Sequence, residues 1–312
     1  MPMKIYLASP RGFCAGVQRA ISIVEKAIEK FGAPVYVRHE IVHNQAVVSR
    51  LKDKGAVFVK ELDQVPSGAV AIFSAHGVPT AVHKDAEDRA LMTVDATCPL
   101  VKKVHSSVQR HHKNNRRILL IGHRGHPEVI GTMGQLDAGE IILVETPEEA
   151  LALPDIDSED LAYTTQTTLS IGETRDIIEA LKTRFPHIKG PASGDLCYAT
   201  TNRQAAVTKM AELVDVLLVI GSKNSSNSNR LRELGEQLGK TSYLIDGPQD
   251  LRREWFEGVN NVGVSSGASA PEDLVQDVVQ WIQKEFPGTE AEDYVILEEN
   301  VRFSLPEVLA GV

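Results

Sequence analysis

The chain has few cysteines, few aromatic residues and no long hydrophobic segment. Only 3 of its 312 residues are cysteine, and aromatic residues make up 5%. The best apolar run, Val216–Ile220, is far shorter than the ~18 residues that a membrane span requires. The apolar segment near the N-terminus is too short for a signal-peptide core and lacks the Arg- and Ser-rich lead of a transit peptide. These absences predict a cytoplasmic protein that does not span a membrane.

Positive charge is scarce as well. The chain has 33 Lys and Arg against 42 Asp and Glu, which gives a net charge of −9. This balance argues against nucleic acid or an anionic membrane surface as the main partner. No G-x-G-x-x-G sequence follows a predicted strand, so the chain lacks the fingerprint of a nicotinamide or flavin site. Any electrons that it uses are therefore expected from a protein partner.

Short apolar strands alternate with helical patterns of ten to fifteen residues, which predicts an α/β protein with parallel sheets. A hydrophobic fraction of 42% allows a large core. The order of strands and helices repeats three times, and we predict three pseudo-repeated αβ lobes with small, mostly parallel sheets around a common centre. The predicted lobes are residues 14–97, residues 98–193, and residues 194–285 together with 1–13, followed by a C-terminal tail at 286–312. In the third lobe, residues 3–8 are predicted to supply a strand.

The three cysteines occupy similar positions, because an amphipathic helical pattern follows each of Cys14, Cys98 and Cys197. They are too far apart in sequence for a local zinc knuckle, but they suit three structural units that close around one axis. A single free cysteine is commonly just a small buried residue. Three cysteines at matching junctions favour a metal site instead.

Two kinds of metal centre fit three thiolates. One is zinc with a histidine as the fourth ligand, and the other is a 4Fe-4S cluster, which usually has four cysteines. A cluster held by three cysteines leaves one iron open. That iron is a Lewis acid that can bind a substrate oxygen and also deliver electrons, which zinc cannot do. The spacing alone does not choose between them.

Polar side chains gather where predicted strands end, and ligands of parallel sheets bind at these carboxyl ends. Hydroxyls, an amide, imidazoles and the N–H groups of helix N-termini together suit a phosphate or diphosphate. Taken singly, a serine or threonine at such a place is more often a helix N-cap, and a histidine can be purely structural. Their number favours a shared site. The candidates are His43, His76, His126, Thr167, Ser225, Ser226, Asn227 and Ser269.

Glu128 directly follows Pro127, which suits the first turn of a helix. A helix N-terminus lowers the pKa of a carboxyl group, whereas burial beside an anionic cluster raises it. A raised pKa is what a general acid needs. The alternative is that Glu128 simply stabilises the helix as a first-turn acid.

Several of these motifs together resemble the 4-hydroxy-3-methylbut-2-enyl diphosphate reductase family, and the resemblance spans nearly the whole chain. The family makes isopentenyl and dimethylallyl diphosphate in the last step of the methylerythritol phosphate route to isoprenoids. The motifs are residues 10–17 (PRGFCAGV), 74–77 (SAHG), 95–99 (DATCP), 125–128 (GHPE), 165–168 (TQTT) and 221–230 (GSKNSSNSNR).

The resemblance implies a role for each candidate residue. Cys14, Cys98 and Cys197 would ligate one 4Fe-4S cluster with an open iron, around which the three lobes are arranged. The substrate hydroxyl would bind that iron near Thr167 and Glu128, two electrons would enter singly, and Glu128 would deliver protons. A ferredoxin or flavodoxin would be the electron donor. The diphosphate would be held by His43, His76, His126, Ser225, Ser226, Asn227 and Ser269.

Two other functions remain open at this point. A non-redox hydratase of the aconitase kind would also use a three-cysteine cluster, but it would need no reductant. An iron-sulfur sensor or scaffold would bind a ligand without turnover. The number of loops suited to a diphosphate argues against the sensor, as does the lack of a basic or helix-turn-helix segment.

Overall fold

The computed structural model describes residues 2–157 and 160–310 of the chain. Residue 1 of the predicted third lobe, residues 158 and 159 of the second, and residues 311 and 312 of the tail lie outside the described residues. The chain divides into two compact units. The first unit comprises Met1–Gln18, His43–Ser49 and Tyr198–Arg302, and the second comprises Arg19–Val42, Arg50–Cys197 and Phe303–Val312.

Twelve strands and ten α-helices lie within the described residues. The strands are β1 (Lys4–Ser9), β2 (Val35–Arg38), β3 (Ala56–Val59), β4 (Val70–Phe73), β5 (Met92–Asp95), β6 (Arg117–Ile121), β7 (Ile141–Val144), β8 (Leu161–Thr165), β9 (Val216–Ile220), β10 (Thr241–Ile245), β11 (Asn261–Ser266) and β12 (Glu290–Val295). The helices are α1 (Ala15–Phe31), α2 (Gln45–Asp53), α3 (Thr80–Asp88), α4 (Pro99–Lys113), α5 (Pro127–Met133), α6 (Pro147–Leu151), α7 (Ile171–Arg184), α8 (Tyr198–Met210), α9 (Ser226–Gln237) and α10 (Glu272–Glu285).

The first unit is built on one parallel sheet with the strand order β10-β9-β11-β1-β12. The N-terminal strand β1 pairs with β11, with Lys4 opposite Asn261, which confirms that the N-terminal segment adds a strand to this sheet. On its other side β1 pairs with β12. Helix α10 turns one apolar face into the core, since every third or fourth residue of it is apolar and buried. Each such valine or isoleucine contributes about 1.5–3 kcal/mol by its burial.

The second unit contains two smaller parallel sheets. Their strand orders are β3-β2-β4-β5 and β7-β6-β8. The strands in the middle of these sheets are mostly apolar, as expected of parallel strands buried on both faces, and Leu119 and Ile121 in β6 are fully buried. The fold is therefore α/β with small parallel sheets, as predicted. The lobe boundaries stay a prediction.

The sequence pattern predicts neither strand β12 nor the short helix α6. Strand β12 (sequence EAEDYV) is almost wholly exposed, so it lacks the apolar alternation that marks a strand. Its backbone hydrogen bonds with β1 hold it in the sheet. Strand β8 ends with two buried threonines, Thr164 and Thr165, rather than with apolar residues. No helix among the described residues is long and apolar enough to cross a bilayer.

Candidate active site

The three cysteines occupy equivalent places, because each directly precedes a helix: α1, α4 or α8. Each cysteine N–H also donates to a carbonyl of a loop that follows a strand. In each loop, a predicted substrate-binding residue either provides this carbonyl or is adjacent to the residue that provides it. The bonds are Cys14 to Ala268 beside Ser269 (3.1 Å), Cys98 to Ala75 beside His76 (3.0 Å), and Cys197 to Thr167 itself (3.0 Å).

None of the three cysteines forms a disulfide, and all three are half-buried. Cys14 belongs to the first unit, whereas Cys98 and Cys197 belong to the second. Among the described residues, no group of three or more His, Cys, Asp or Glu side chains is arranged to hold a metal ion. That the three cysteines share one cluster stays a prediction at this point.

Glu128 and Thr167 form a buried pair in the second unit. Glu128 lies in the first turn of α5 and is 3% exposed, and Thr167 is 4% exposed. One carboxylate oxygen of Glu128 accepts the Thr167 N–H at 2.6 Å, and the other accepts the Thr167 hydroxyl at 3.0 Å. Burial raises the pKa of Glu128 to about 7, although these two hydrogen bonds oppose the shift. Glu128 can therefore hold a proton near neutral pH.

His126 is the N-cap of α5, since its Nδ1 accepts the Glu128 N–H at 3.1 Å. With Nδ1 occupied as an acceptor, a neutral His126 carries its proton on Nε2 and presents it as a donor. His76 lies nearby in the second unit. The two rings meet edge to face with centroids 6.0 Å apart, and Ser74 Oγ lies 3.3 Å from His76 Nδ1. The structure therefore brings His76 and His126 together.

Two aspartates that precede cysteines hold the loops of the second unit, and the sequence analysis gave them no role. Asp95 accepts the N–H and the hydroxyl of Thr97 at 2.9 and 2.5 Å. Asp195 accepts the hydroxyl of Thr164 at 2.5 Å and the N–H of Thr165 at 3.2 Å. The signal was their short distance from Cys98 and Cys197 in the motifs, but sequence alone does not show what a carboxylate accepts.

In the first unit, His43 lies against two of the polar loops. Ser269 Oγ donates to the His43 carbonyl at 3.0 Å, and Asn224 Nδ2 lies 3.3 Å from His43 Nδ1. Ser269 is 7% exposed. Asn224 belongs to the 221–230 motif but was not among the predicted site residues. The structure thus joins the His43 loop to the loops that follow β9 and β11.

Ser225, Ser226 and Asn227 form the start of α9. Ser225 acts as the N-cap, because its Oγ accepts the Ser228 N–H at 3.3 Å. This is the capping role that the sequence analysis weighed as the alternative to substrate binding. Ser226, the first residue of the helix, is half-buried. Asn227 is different, because it is 5% exposed and neither polar atom of its amide has a partner among the described residues.

Two glycines allow the loops after β9 and β11 to approach each other. A Cβ on Gly221 would lie 2.1 Å from Ser228 Oγ, and one on Gly267 would lie 2.0 Å from the same oxygen. Strands β9 and β11 are neighbours in the sheet. Their loops, which carry Ser225, Asn227 and Ser269, therefore come together at one edge.

These features define an α/β protein whose polar loops lie at the carboxyl ends of parallel strands, with one cysteine directly before each of three helices. The profile of the LytB protein family matches residues 5–283, and the chain belongs to this family. It is 57% identical over 309 residues to the 4-hydroxy-3-methylbut-2-enyl diphosphate reductase of Aliivibrio fischeri, with 98% of each chain covered. It is also 57% identical to the protein of that name from Aeromonas hydrophila, covering 98% of this chain and 99% of the relative.

Solved structures agree with these relatives. The E-1-hydroxy-2-methyl-but-2-enyl-4-diphosphate reductase of Plasmodium falciparum is 37% identical with a TM-score of 0.95, covering 99% of this chain and 97% of that chain. A second structure is named (E)-4-hydroxy-3-methyl-but-2-enyl diphosphate reductase, the terminal enzyme of the non-mevalonate pathway. It is 35% identical with a TM-score of 0.64, covering 90% of this chain and 99% of that one. The fold class and the family predicted from the motifs are confirmed.

Proposed function

We propose that this protein reduces (E)-4-hydroxy-3-methylbut-2-enyl diphosphate to isopentenyl diphosphate and dimethylallyl diphosphate, the terminal step of the non-mevalonate isoprenoid pathway. Its family and the names of its relatives support this activity. The reaction breaks the C–O bond of the allylic hydroxyl and forms one C–H bond. Two electrons and two protons are consumed, and the hydroxyl leaves as water.

The observation that carries the proposal is the buried pair of Glu128 and Thr167. A carboxyl group whose pKa is about 7 is suited to donate a proton at neutral pH. Thr167 orients both oxygens of Glu128 and, through its own carbonyl, is bonded to the N–H of Cys197. The proton source and a cysteine are thus held by one short loop. Glu128 would protonate the departing hydroxyl, and the Thr167 hydroxyl would help to position it.

The diphosphate would be bound by His43, His76, His126, Ser225, Ser226, Asn227 and Ser269. The unpartnered amide of Asn227 supports this role, since a buried polar group without a partner is costly unless a ligand supplies one. The first-turn N–H groups of α9 favour an anion there as well. His126, with its proton on Nε2, would be a further donor.

Cys14, Cys98 and Cys197 would hold the 4Fe-4S cluster. The donor set fits such a group, because it comprises three half-buried cysteines that form no disulfide, and the N–H of each makes a backbone hydrogen bond. When bound, the cluster would supply electrons one at a time and a Lewis acid. A ferredoxin or flavodoxin type of donor and the cytoplasmic location predicted from the sequence belong to the same proposal.

The test is an anaerobic assay of the protein reconstituted with iron and sulfide. We expect isopentenyl and dimethylallyl diphosphate to form from the allylic diphosphate when reduced methyl viologen is present, with two electrons consumed for each product. Without the donor we expect no turnover. Conversion of the substrate to a hydration or dehydration product without a reductant would instead indicate a hydratase, and binding of the diphosphate without turnover under either condition would indicate a sensor.

A further inference from the structure

Arg203 is a fully buried arginine of the first unit that none of the roles above uses. It lies on α8, and its side chain is 0% exposed. Its Nη2 donates to the carbonyl of Gly12 at 2.8 Å, and its Nη1 donates to the carbonyl of Ala199 at 3.2 Å. Nη1 also lies 3.0 Å from a carboxylate oxygen of Glu299. The guanidinium thus links the loop before Cys14 to the segment after β12.

Glu299 is the matching acid and is half-buried, with a side chain that is 13% exposed. It also accepts the Asn202 side-chain amide at 3.0 Å. Burying the charge of Arg203 costs several kcal/mol, and an apolar residue of similar size would stabilise a core equally well. A fully buried arginine beside a predicted cofactor ligand is therefore a candidate for a role in function.

The loop that carries Cys14 is held on several sides. Gly12 has a positive φ of 70°, its N–H donates to Ser266 Oγ at 2.7 Å, and its carbonyl is the one that accepts Arg203. On the other side of Cys14, the Ala15 N–H donates to the Tyr198 hydroxyl at 2.9 Å. Arg203 is the only charged group among these contacts, which span residues 12–15.

Of the two charged groups, Arg203 is the one that contacts the Cys14 loop, because its Nη2 donates to the carbonyl of Gly12, two residues before Cys14. In a buried site a charge is screened much less than at the surface.

We propose that Arg203 is a positioning residue that fixes the Cys14 loop through the Gly12 carbonyl and stabilises the reduced cluster with its buried positive charge. This inference rests on the proposed function, because it requires a cluster on Cys14. Each electron that enters makes the cluster more negative, so a fixed positive charge nearby favours reduction. Net charge and hydrogen bonding around the sulfurs are among the factors that set the potential of such clusters.

The experiment compares one-electron reduction potentials of the reconstituted protein, measured by redox titration followed by electron paramagnetic resonance, without substrate. Arg203→Met keeps the length of the side chain but removes the charge. We expect reduction to become about tenfold less favourable, which corresponds to ~59 mV toward more negative potential. Glu299→Gln removes the opposing charge, so we expect a shift in the opposite direction. Arg203→Lys retains the charge and should remain closer to wild type than Arg203→Met.

Arg232→Met is the matched control, because Arg232 forms a half-exposed ion pair with Glu236 at 2.7 Å in the same unit. We expect no shift there. A purely structural role would lower cluster content in both core variants and would not give shifts of opposite sign. If Arg203→Met does not fold, Glu299→Gln tests the inference by itself. A shift of its reduction potential to more positive values supports the role of Arg203, and a shift to more negative values contradicts it.

Two outcomes would overturn the inference in different ways. Unchanged potentials in Arg203→Met and Glu299→Gln, with normal iron and sulfide content, would overturn the role of Arg203 alone. A wild-type protein that takes up no cluster would overturn the proposed function and this inference with it.

Discussion

Each unit contains a buried polar side chain of the candidate site, and the two side chains differ in whether they have hydrogen-bond partners within the protein. In the second unit, both oxygens of Glu128 are engaged by Thr167 at 2.6 and 3.0 Å. In the first unit, the amide of Asn227 is equally buried, yet it has no partner among the described residues. A satisfied pair with a raised pKa is suited to hold a proton. An unsatisfied amide is suited to receive a ligand.

This contrast indicates which unit contributes which part of the chemistry. In the proposed function, the engaged carboxyl of Glu128 would supply proton transfer, and its hydrogen bonds are complete without a ligand. Asn227 and its neighbours on α9 would supply binding, and the substrate would complete their hydrogen bonds.

Cys14→Ser and Cys197→Ser should abolish activity, because each removes one of the thiolates that would hold the proposed cluster. The first change lies in the first unit and the second in the second unit. Iron and sulfide content and the visible absorption of the cluster are the measurements. If either variant kept wild-type iron content and turnover, that cysteine would not be a ligand.

Glu128→Gln should lower kcat by about 10²–10⁴-fold, since the amide keeps the shape of the side chain but cannot donate the proton. KM should change little, because Asn227 and the other diphosphate ligands are intact. The matched control is Glu148→Gln. Glu148 also follows a proline in the first turn of a helix, but it is fully exposed. A variant at position 128 with wild-type kcat and a saturating donor would exclude Glu128 as the proton source.

The raised pKa of Glu128 should make the free energy of unfolding depend on pH. Its pKa in the folded state is about 7, against 4.5 ordinarily, so the native protein keeps a proton that the unfolded chain has lost. Wild type should therefore lose stability relative to Glu128→Gln as the pH rises through this window, by on the order of 3 kcal/mol. Urea unfolding of both proteins at pH 4.5, 6 and 7.5 measures the difference. A constant difference across these pH values would contradict the raised pKa.

Asn227→Ala should raise KM for the allylic diphosphate by roughly tenfold or more, the usual effect of losing a hydrogen bond to a charged group. Its melting temperature should hardly change, because the amide has no partner within the protein to lose. Asn260→Ala, an exposed asparagine of the same unit, is the control and should leave both quantities unchanged. A large loss of stability with normal KM would show that Asn227 is structural.

The regular elements were predictable where burial leaves a pattern in the sequence. Helices α1 and α10 have such a pattern, because one face of each is apolar at intervals of three and four. Strand β12 could not be predicted, since its side chains are exposed and only backbone pairing holds it. The polar Thr164 can be buried in β8 because its hydroxyl donates to Asp195. This bond joins residues that are distant in sequence, so the sequence pattern does not show it.

The sequence alone determined the α/β class, the family, and the position of each cysteine before a helix, because periodicity and motifs are local properties of the chain. Only the tertiary structure decided that Thr167 donates to both oxygens of Glu128 and that Asn227 is buried without a hydrogen-bond partner among the described residues. It also decided that Arg203 donates to the Gly12 carbonyl in the loop of Cys14. These relations join residues far apart in sequence. Burial and hydrogen bonding set their chemistry, and neither exists until the chain has folded.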